Sequence, residues 1–163
     1  MKTLFVLRHA KSSWKEASLE DHDRPLNQRG RDEAPQIAAY LLQRGLCPAF
    51  VVVSTARRAL QTTADVLSGL RYQGLVRSLG ALYLAEAEAL LAVIAKTPER
   101  YPSLMVVGHN PGLENLLTGL TGQAVSMPTS GLAQVELFIQ TWRSLAPDQS
   151  GSLVASWHPG QPD

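Results

Sequence analysis

Apolar residues fall in unbroken runs at Leu4–Leu7, Phe50–Val53 and Leu104–Val107, and each run stops abruptly at polar residues. Runs without polar alternation are those of strands covered on both faces. Elsewhere the apolar positions recur at three and four. Ala34, Ile37, Ala38, Leu41 and Leu42, opposite Arg31, Asp32, Gln36 and Gln43, predict a helix that Gly45 closes. Pro35 is expected in its first turn, where a missing N–H costs little. The pattern predicts further helices over about 56–67 and 86–95, the second leaving at Pro98, and a short one from Asn110-Pro111-Gly112 to near Gly119. A weaker strand spans about 75–78. Late strands are predicted over about 132–139, where Leu132, Val135, Leu137 and Ile139 alternate with Gln134, Glu136 and Gln140, and over 153–157.

Strand–helix alternation of this kind predicts an α/β fold in one domain over residues 1–157. A mostly parallel sheet lies between helices on both faces, as an α/β/α sandwich, with closing strands as antiparallel edge strands. Residues 146–152 read as an exposed loop and 158–163 as a loose tail. Trp142 and Trp157 are expected to pack in the core or at a sheet edge.

Composition narrows the class. With 163 residues, 45% hydrophobic and 18% charged, the chain can bury a full core and is not of disordered type. A net charge of +1 gives no general attraction to nucleic acid or to an anionic membrane, so a bound anion must be held by a local cluster. The single cysteine, Cys47, rules out an internal disulfide framework, suits a reducing compartment and reads as a small buried residue after a helix. The apolar run before Arg8 is shorter than a secretory signal needs, and no stretch is long enough for a membrane span. A cytoplasmic location is expected.

The chemistry gathers where the strands end. The first run stops at Arg8-His9-Ala10-Lys11, the second at Ser54-Thr55-Ala56-Arg57-Arg58, and the third at Gly108-His109-Asn110-Pro111-Gly112. Carboxyl ends of strands are where open α/β sheets place ligands. Arginine suits a phosphoryl group because its planar fork donates paired hydrogen bonds and stays ionised, and neutral histidine offers one lone pair as a nucleophile. Arg8, His9, Arg58 and His109 therefore form a phosphoryl-transfer set if the sheet brings these strand ends together. Gly108 and Gly112 would let the backbone approach a ligand closely.

These segments resemble a known family. Arg8-His9-Ala10 is similar to the Arg-His-Gly signature of the histidine phosphatase superfamily, which includes the phosphoglycerate mutases. Ser54-Thr55-Ala56-Arg57-Arg58-Ala59 resembles its second motif, in a register that selects Arg58 over Arg57. Gly108-His109-Asn110-Pro111-Gly112 resembles the third. Asp23-Arg24-Pro25-Leu26-Asn27-Gln28-Arg29-Gly30, Leu82-Tyr83 and the small size point to the SixA-type phosphohistidine phosphatases. The resemblance implies a phosphoglycerate mutase-like fold and a phosphatase whose His9 becomes phosphorylated, with Arg8, Arg58 and His109 on the phosphoryl oxygens. It implies neither metal nor organic cofactor. The partner would be a phosphorylated protein carrying phosphohistidine, or a small phosphorylated molecule; the oligomeric state is left open.

Departures from the family pattern shape the expectation. Ala10 stands for the usual glycine, which is tolerable if its φ is negative. Mutases and many broad phosphatases supply a glutamate proton donor between the second and third motifs; here only Glu86 offers itself, and it reads as a helix-start acid favoured by the dipole. An alkoxide leaving group benefits from such a donor, whereas imidazole can leave neutral, so the expected substrate is a phosphoramidate or another activated phosphate. A small-ester phosphatase or mutase, and a non-catalytic phosphate-recognition module, are the competing readings.

Other positions carry weaker expectations. Ser12 and Asn110 are candidate substrate contacts, although Asn110 could equally cap a helix. Trp14 walls the pocket or merely packs, and Arg24 anchors its loop. His22 with His9 and His109 would be the minority metal reading, since carboxylates do not follow the two strand-end histidines.

Overall fold

A computed structural model describes residues 1–161. Its elements, in order, are β1 (Lys2–Arg8), α1 (Gln28–Gln43), β2 (Phe50–Ser54), α2 (Arg57–Gly69), β3 (Leu75–Leu79), α3 (Ala87–Ala95), β4 (Ser103–Gly108), α4 (Gly112–Thr121), β5 (Leu132–Leu137) and β6 (Gly151–Trp157). They form one six-stranded sheet in the order β3-β2-β4-β1-β5-β6. The first four of these strands are mutually parallel, while β5 runs antiparallel to β1 and β6 antiparallel to β5. The expected mostly parallel α/β/α sandwich is the fold observed. Both closing strands are antiparallel, but only β6 forms an edge, because β5 is inserted between β1 and β6.

The pleat of the central strands divides the core. Leu4, Val6, Val52, Leu104 and Val106 face α3 and α4, where Leu90, Ile94, Leu113, Leu116, Leu117 and Leu120 meet them. Phe5, Leu7, Val51, Val53, Met105 and Val107 face Ala34, Ile37, Ala38 and Leu41 of α1 and Ala59 and Val66 of α2. Every apolar position of the three runs is therefore spent on one helical layer or the other. Trp142 is fully buried, and Trp157 stacks on Tyr40 with ring centroids 4.4 Å apart.

Three expectations need correcting. Pro35 lies in the interior of α1, not its first turn. The helix begins earlier, where the Asn27 side chain accepts the Gly30 N–H at 2.9 Å, and its opening turns are too polar to show in the apolar period. Cys47 is exposed in the loop before β2. The predicted loop over 146–152 ends two residues sooner, since Gly151 and Ser152 already belong to β6. Of the predicted tail, residues 162 and 163 lie outside the described residues. Among the described residues no helix is long and apolar enough to cross a membrane.

Candidate active site

Register sets the site. β1 and β4 pair so that Arg8 lies beside Gly108, which makes His9 and His109 the next residues past two neighbouring strands. Their ring centroids are 5.1 Å apart. β2 pairs on the far side of β4, with Val53 beside Val107, so Ser54 and the start of α2 reach the same end of the sheet. Arg58, in the first turn of α2, is buried and points back between the imidazoles, while Arg57 is exposed. The sheet thus brings together all four residues singled out at its strand ends.

Hydrogen bonds fix both tautomers. The His9 Nδ1 lies 2.8 Å from the Ala10 carbonyl oxygen, which can only accept, so Nδ1 carries the proton. The lone pair on His9 Nε2 then accepts from Arg58 Nε at 3.3 Å. His109 is wired the other way: its Nδ1 accepts from Arg58 Nη2 at 3.3 Å, and its Nε2–H donates to Ser54 Oγ at 2.7 Å. Burial first, then neighbouring cations, pulls His9 down to about 4. Burial, the facing His9 and Arg58 pull His109 down to about 3. Both rings are neutral near neutral pH.

Asp21 completes the cluster. Its main-chain oxygen accepts from Arg58 Nη1 at 2.7 Å and its Oδ2 from Arg58 Nη2 at 3.0 Å, and the Tyr83 hydroxyl donates to the same carboxylate oxygen. Burial works to raise the Asp21 carboxyl, but the bonds from Tyr83 and Arg58 outweigh it and hold the group below its ordinary value. Arg8 donates through Nη1 to the Met127 carbonyl at 3.0 Å, while its buried Nε has no protein partner.

A cavity of about 280 Å³ opens over these groups, lined by Arg8, His9, Arg58 and His109 together with Ser12, Asn110, Lys11, Trp14, Asp21, Leu84 and Thr129. Ser12 is buried at its wall, bridged to Leu26. Asn110 also borders it, but its Nδ2 is committed to Glu114 Oε1 at 3.0 Å and to the Met127 carbonyl at 2.8 Å. Glu86 lies outside this cavity, immediately before α3. His22 turns to Thr55 Oγ1 at 2.9 Å instead of joining the two strand-end histidines. A larger groove of about 590 Å³ runs alongside and shares Leu84 as a wall.

Of the two glycines of the third motif, Gly112 serves packing: a Cβ there would collide with the Ala85 carbonyl oxygen. A Cβ on Gly108 would meet Leu113 at an ordinary 3.5 Å. Ala10 does not adopt a positive φ and gives its N–H to Thr62 Oγ1 at 2.9 Å, so no glycine is needed there. Arg24 is buried and binds the carbonyls of Glu16 and Leu19, which anchors the loop as expected. Sequence reasoning missed Asp21, Ser54 and the orienting role of Tyr83. Ser54 had a signal, being the polar residue that ends an apolar run; Asp21 had none among several loop acids.

The family model of the histidine phosphatase superfamily (branch 1) matches residues 4–78, from β1 into β3. An uncharacterised chloroplast protein of Arabidopsis thaliana is 31% identical over 151 residues, 86% of this chain and 69% of that protein. An uncharacterised Mycobacterium tuberculosis protein is 34% identical over 140 residues, 78% of this chain and 84% of its own. Among solved structures, a protein of Agrobacterium tumefaciens provisionally named phosphohistidine phosphatase SixA superposes with a TM-score of 0.83 at 32% identity, covering 97% of this chain and 98% of its own. The protein histidine phosphatase SixA, solved with tungstate, superposes with a TM-score of 0.81 at 26% identity over 96% of this chain and 97% of its own. The chain belongs to the histidine phosphatase superfamily. Within it, this protein is a phosphatase of the SixA type.

Proposed function

We propose that the protein removes a phosphoryl group from a phosphorylated histidine of a protein, through a covalent intermediate on His9. The observation that carries this reading is the wiring of His9. A main-chain carbonyl holds its proton on Nδ1 and leaves the Nε2 lone pair at the cavity, where it accepts from Arg58 Nε. Neutral His9 attacks phosphorus in line. As the Nε2–P bond forms, the Arg58 Nε–H passes from the nitrogen lone pair to a phosphoryl oxygen. Arg8, with its unpartnered Nε, and the rest of the Arg58 fork receive the other oxygens. Water then attacks the phosphorus, the electron pair returns to His9 Nε2, and the proton released by water leaves with phosphate or solvent.

Phosphohistidine suits the site because the carboxyl group on the cavity wall carries no proton to give. Asp21 is the carboxylate on its wall, and Arg58 and Tyr83 keep it ionised. His109 gives its proton to Ser54. An alkoxide would depart without help, whereas an N-phosphorylated imidazole that carries a proton on its other nitrogen takes the P–N electron pair and leaves neutral. The names of the similar solved structures support the same substrate. A role in signalling inside the cytoplasm is consistent with it. Ser12 borders the phosphoryl space as a substrate contact, and Asn110 acts at one remove, through its bond to the Met127 carbonyl that Arg8 also binds.

Rapid quench with a labelled phosphoryl donor tests the reading. Protein-bound label that survives alkali, is lost in acid and is missing from His9→Ala is the expected result. Label that persists in His9→Ala would refute it.

A further inference from the structure

Nine large hydrophobic side chains are exposed among the described residues, and two of them, Trp14 and Leu84, stand on the wall of the His9 cavity. Trp14 is 63% exposed and Leu84 is 54% exposed. They come from separate connections, Trp14 from the one after β1 and Leu84 from the one before α3. Both are held in place. The Arg24 guanidinium lies 3.9 Å from the centroid of the Trp14 ring, and that guanidinium is itself buried and fixed on the Glu16 and Leu19 carbonyls at 3.2 and 3.0 Å. A cation pinned against an aromatic face fixes the ring. Leu84 adopts φ 49°, a backbone state that a bulky L residue enters only when its surroundings impose it. Directly after it, the Ala85 carbonyl closes on Gly112 so tightly that no side chain would fit there.

A site for phosphate alone would have no use for either side chain. The inner wall, with Arg8, Arg58, His9 and His109, already supplies what an oxyanion needs. Apolar surface on the rim of a cationic cavity is costly to leave in water unless a ligand covers it. In-line attack by His9 also has a direction. The bond that breaks lies opposite the attacking nitrogen, so the leaving group points away from His9 and toward the open side. We infer that Trp14 and Leu84 are specificity residues that receive a flat, ring-bearing leaving group, which is the imidazole of a phosphorylated histidine in the reading above. The inference rests on His9 as nucleophile, and it extends that reading by assigning the part of the site that contacts the group being released.

The test compares wild type, Trp14→Ala, Trp14→Phe and Leu84→Ala by kcat and KM on two pairs of activated donors. A histidine-phosphorylated peptide and p-nitrophenyl phosphate carry a ring; phosphoramidate and acetyl phosphate do not. Ring stacking on an indole predicts that Trp14→Ala loses about fivefold more kcat/KM on the ring-bearing pair than on the ring-free pair, mainly through KM. Trp14→Phe should recover most of that difference, and Leu84→Ala should show the same bias at about twofold. Equal losses on all four donors in folded variants, or no loss on any, would overturn the inference. Should Trp14→Ala fail to fold, Leu84→Ala carries the comparison, since Leu84 takes no part in the Arg24 stack. A wild type that cleaves the other donors but spares the phosphohistidine peptide would refute the proposed substrate instead. The ring bias among the remaining donors then still decides the role of Trp14 and Leu84.

Discussion

The ends of β1 and β4 are neighbours in register and each presents a histidine, yet the two imidazoles are wired in opposite senses. His9 gives its Nδ1 proton to the main chain and keeps Nε2 free for Arg58. His109 gives its Nε2 proton to the Ser54 side chain and keeps Nδ1 for the same arginine. One guanidinium therefore touches the lone pair of both rings. The difference assigns roles: the His9 nitrogen whose opposite proton is held by a main-chain carbonyl is a nucleophile in waiting, whereas His109, its Nε2–H braced by a serine, can donate to an anion only once Nδ1 takes up a proton.

The contrast breaks most sharply at His9. His9→Ala should abolish turnover and eliminate acid-labile label. Once a bound phosphoryl group draws a proton from solvent onto its Nδ1, His109 becomes a donor to that group, so His109→Ala should slow turnover by about a hundred- to thousandfold while the label still forms. Single-turnover labelling of the two variants separates these outcomes. Label in His9→Ala but not in His109→Ala would exchange the two roles.

Arg58 is the shared term, so its removal should act on both rings at once. Arg58→Ala is expected to lower turnover by about a hundredfold. It should also raise both imidazole pKa values, because a positive neighbour that disfavours protonation is gone. Carbon-detected histidine titrations measure this directly. A rise confined to one ring would show that the guanidinium serves only that histidine.

Acid sharpens the comparison further. Both folded-state values lie below the ordinary 6.5, at about 4 for His9 and about 3 for His109. The unfolded chain therefore binds those protons first as pH falls. The stability of the neutral pair is fully present above about pH 6.5 and is lost as pH drops toward 4 and then 3. For His9 alone the loss is on the order of 3 kcal/mol. Denaturant midpoints between pH 7 and 4 should fall, and His9→Ala should flatten the fall. An unchanged slope in that variant would mean the ring titrates near its ordinary value.

How much of this was readable in the chain depends on where each residue sits. Arg8, His9 and His109 were legible because an apolar run that stops abruptly marks a strand end, and strand ends of a parallel sheet converge. Arg58 needed the register of its motif, since Arg57 beside it is exposed. Asp21 was not legible: it reaches Arg58 across the fold from a short loop turn, and no local pattern distinguishes it from Asp23. Pro35 was misplaced because the polar residues Gln28 to Glu33 form helix without an apolar stripe, so the start lay in the Asn27 cap. Cys47 was misjudged because composition favours burial of cysteine, while its actual place is an exposed loop.

The mildest perturbation is the most discriminating. Ser54 is completely buried, accepts from His109 Nε2 at 2.7 Å and also takes the Ala56 N–H at 3.2 Å. Ser54→Ala leaves a buried N–H of His109 without its acceptor, at a cost of about 1–3 kcal/mol. The ring is then free to move its proton to Nδ1, where it would confront the Arg58 guanidinium, or to turn away. Turnover should fall about three- to tenfold, and nitrogen shifts of His109 should report a mixture of tautomers. His9 should keep its Nδ1–H signature in the same sample, because the acceptor there is the Ala10 carbonyl, which no side-chain substitution removes. If both rings changed tautomer together in Ser54→Ala, the proton positions would be set by contact between the two imidazoles across 5.1 Å and not by their separate anchors.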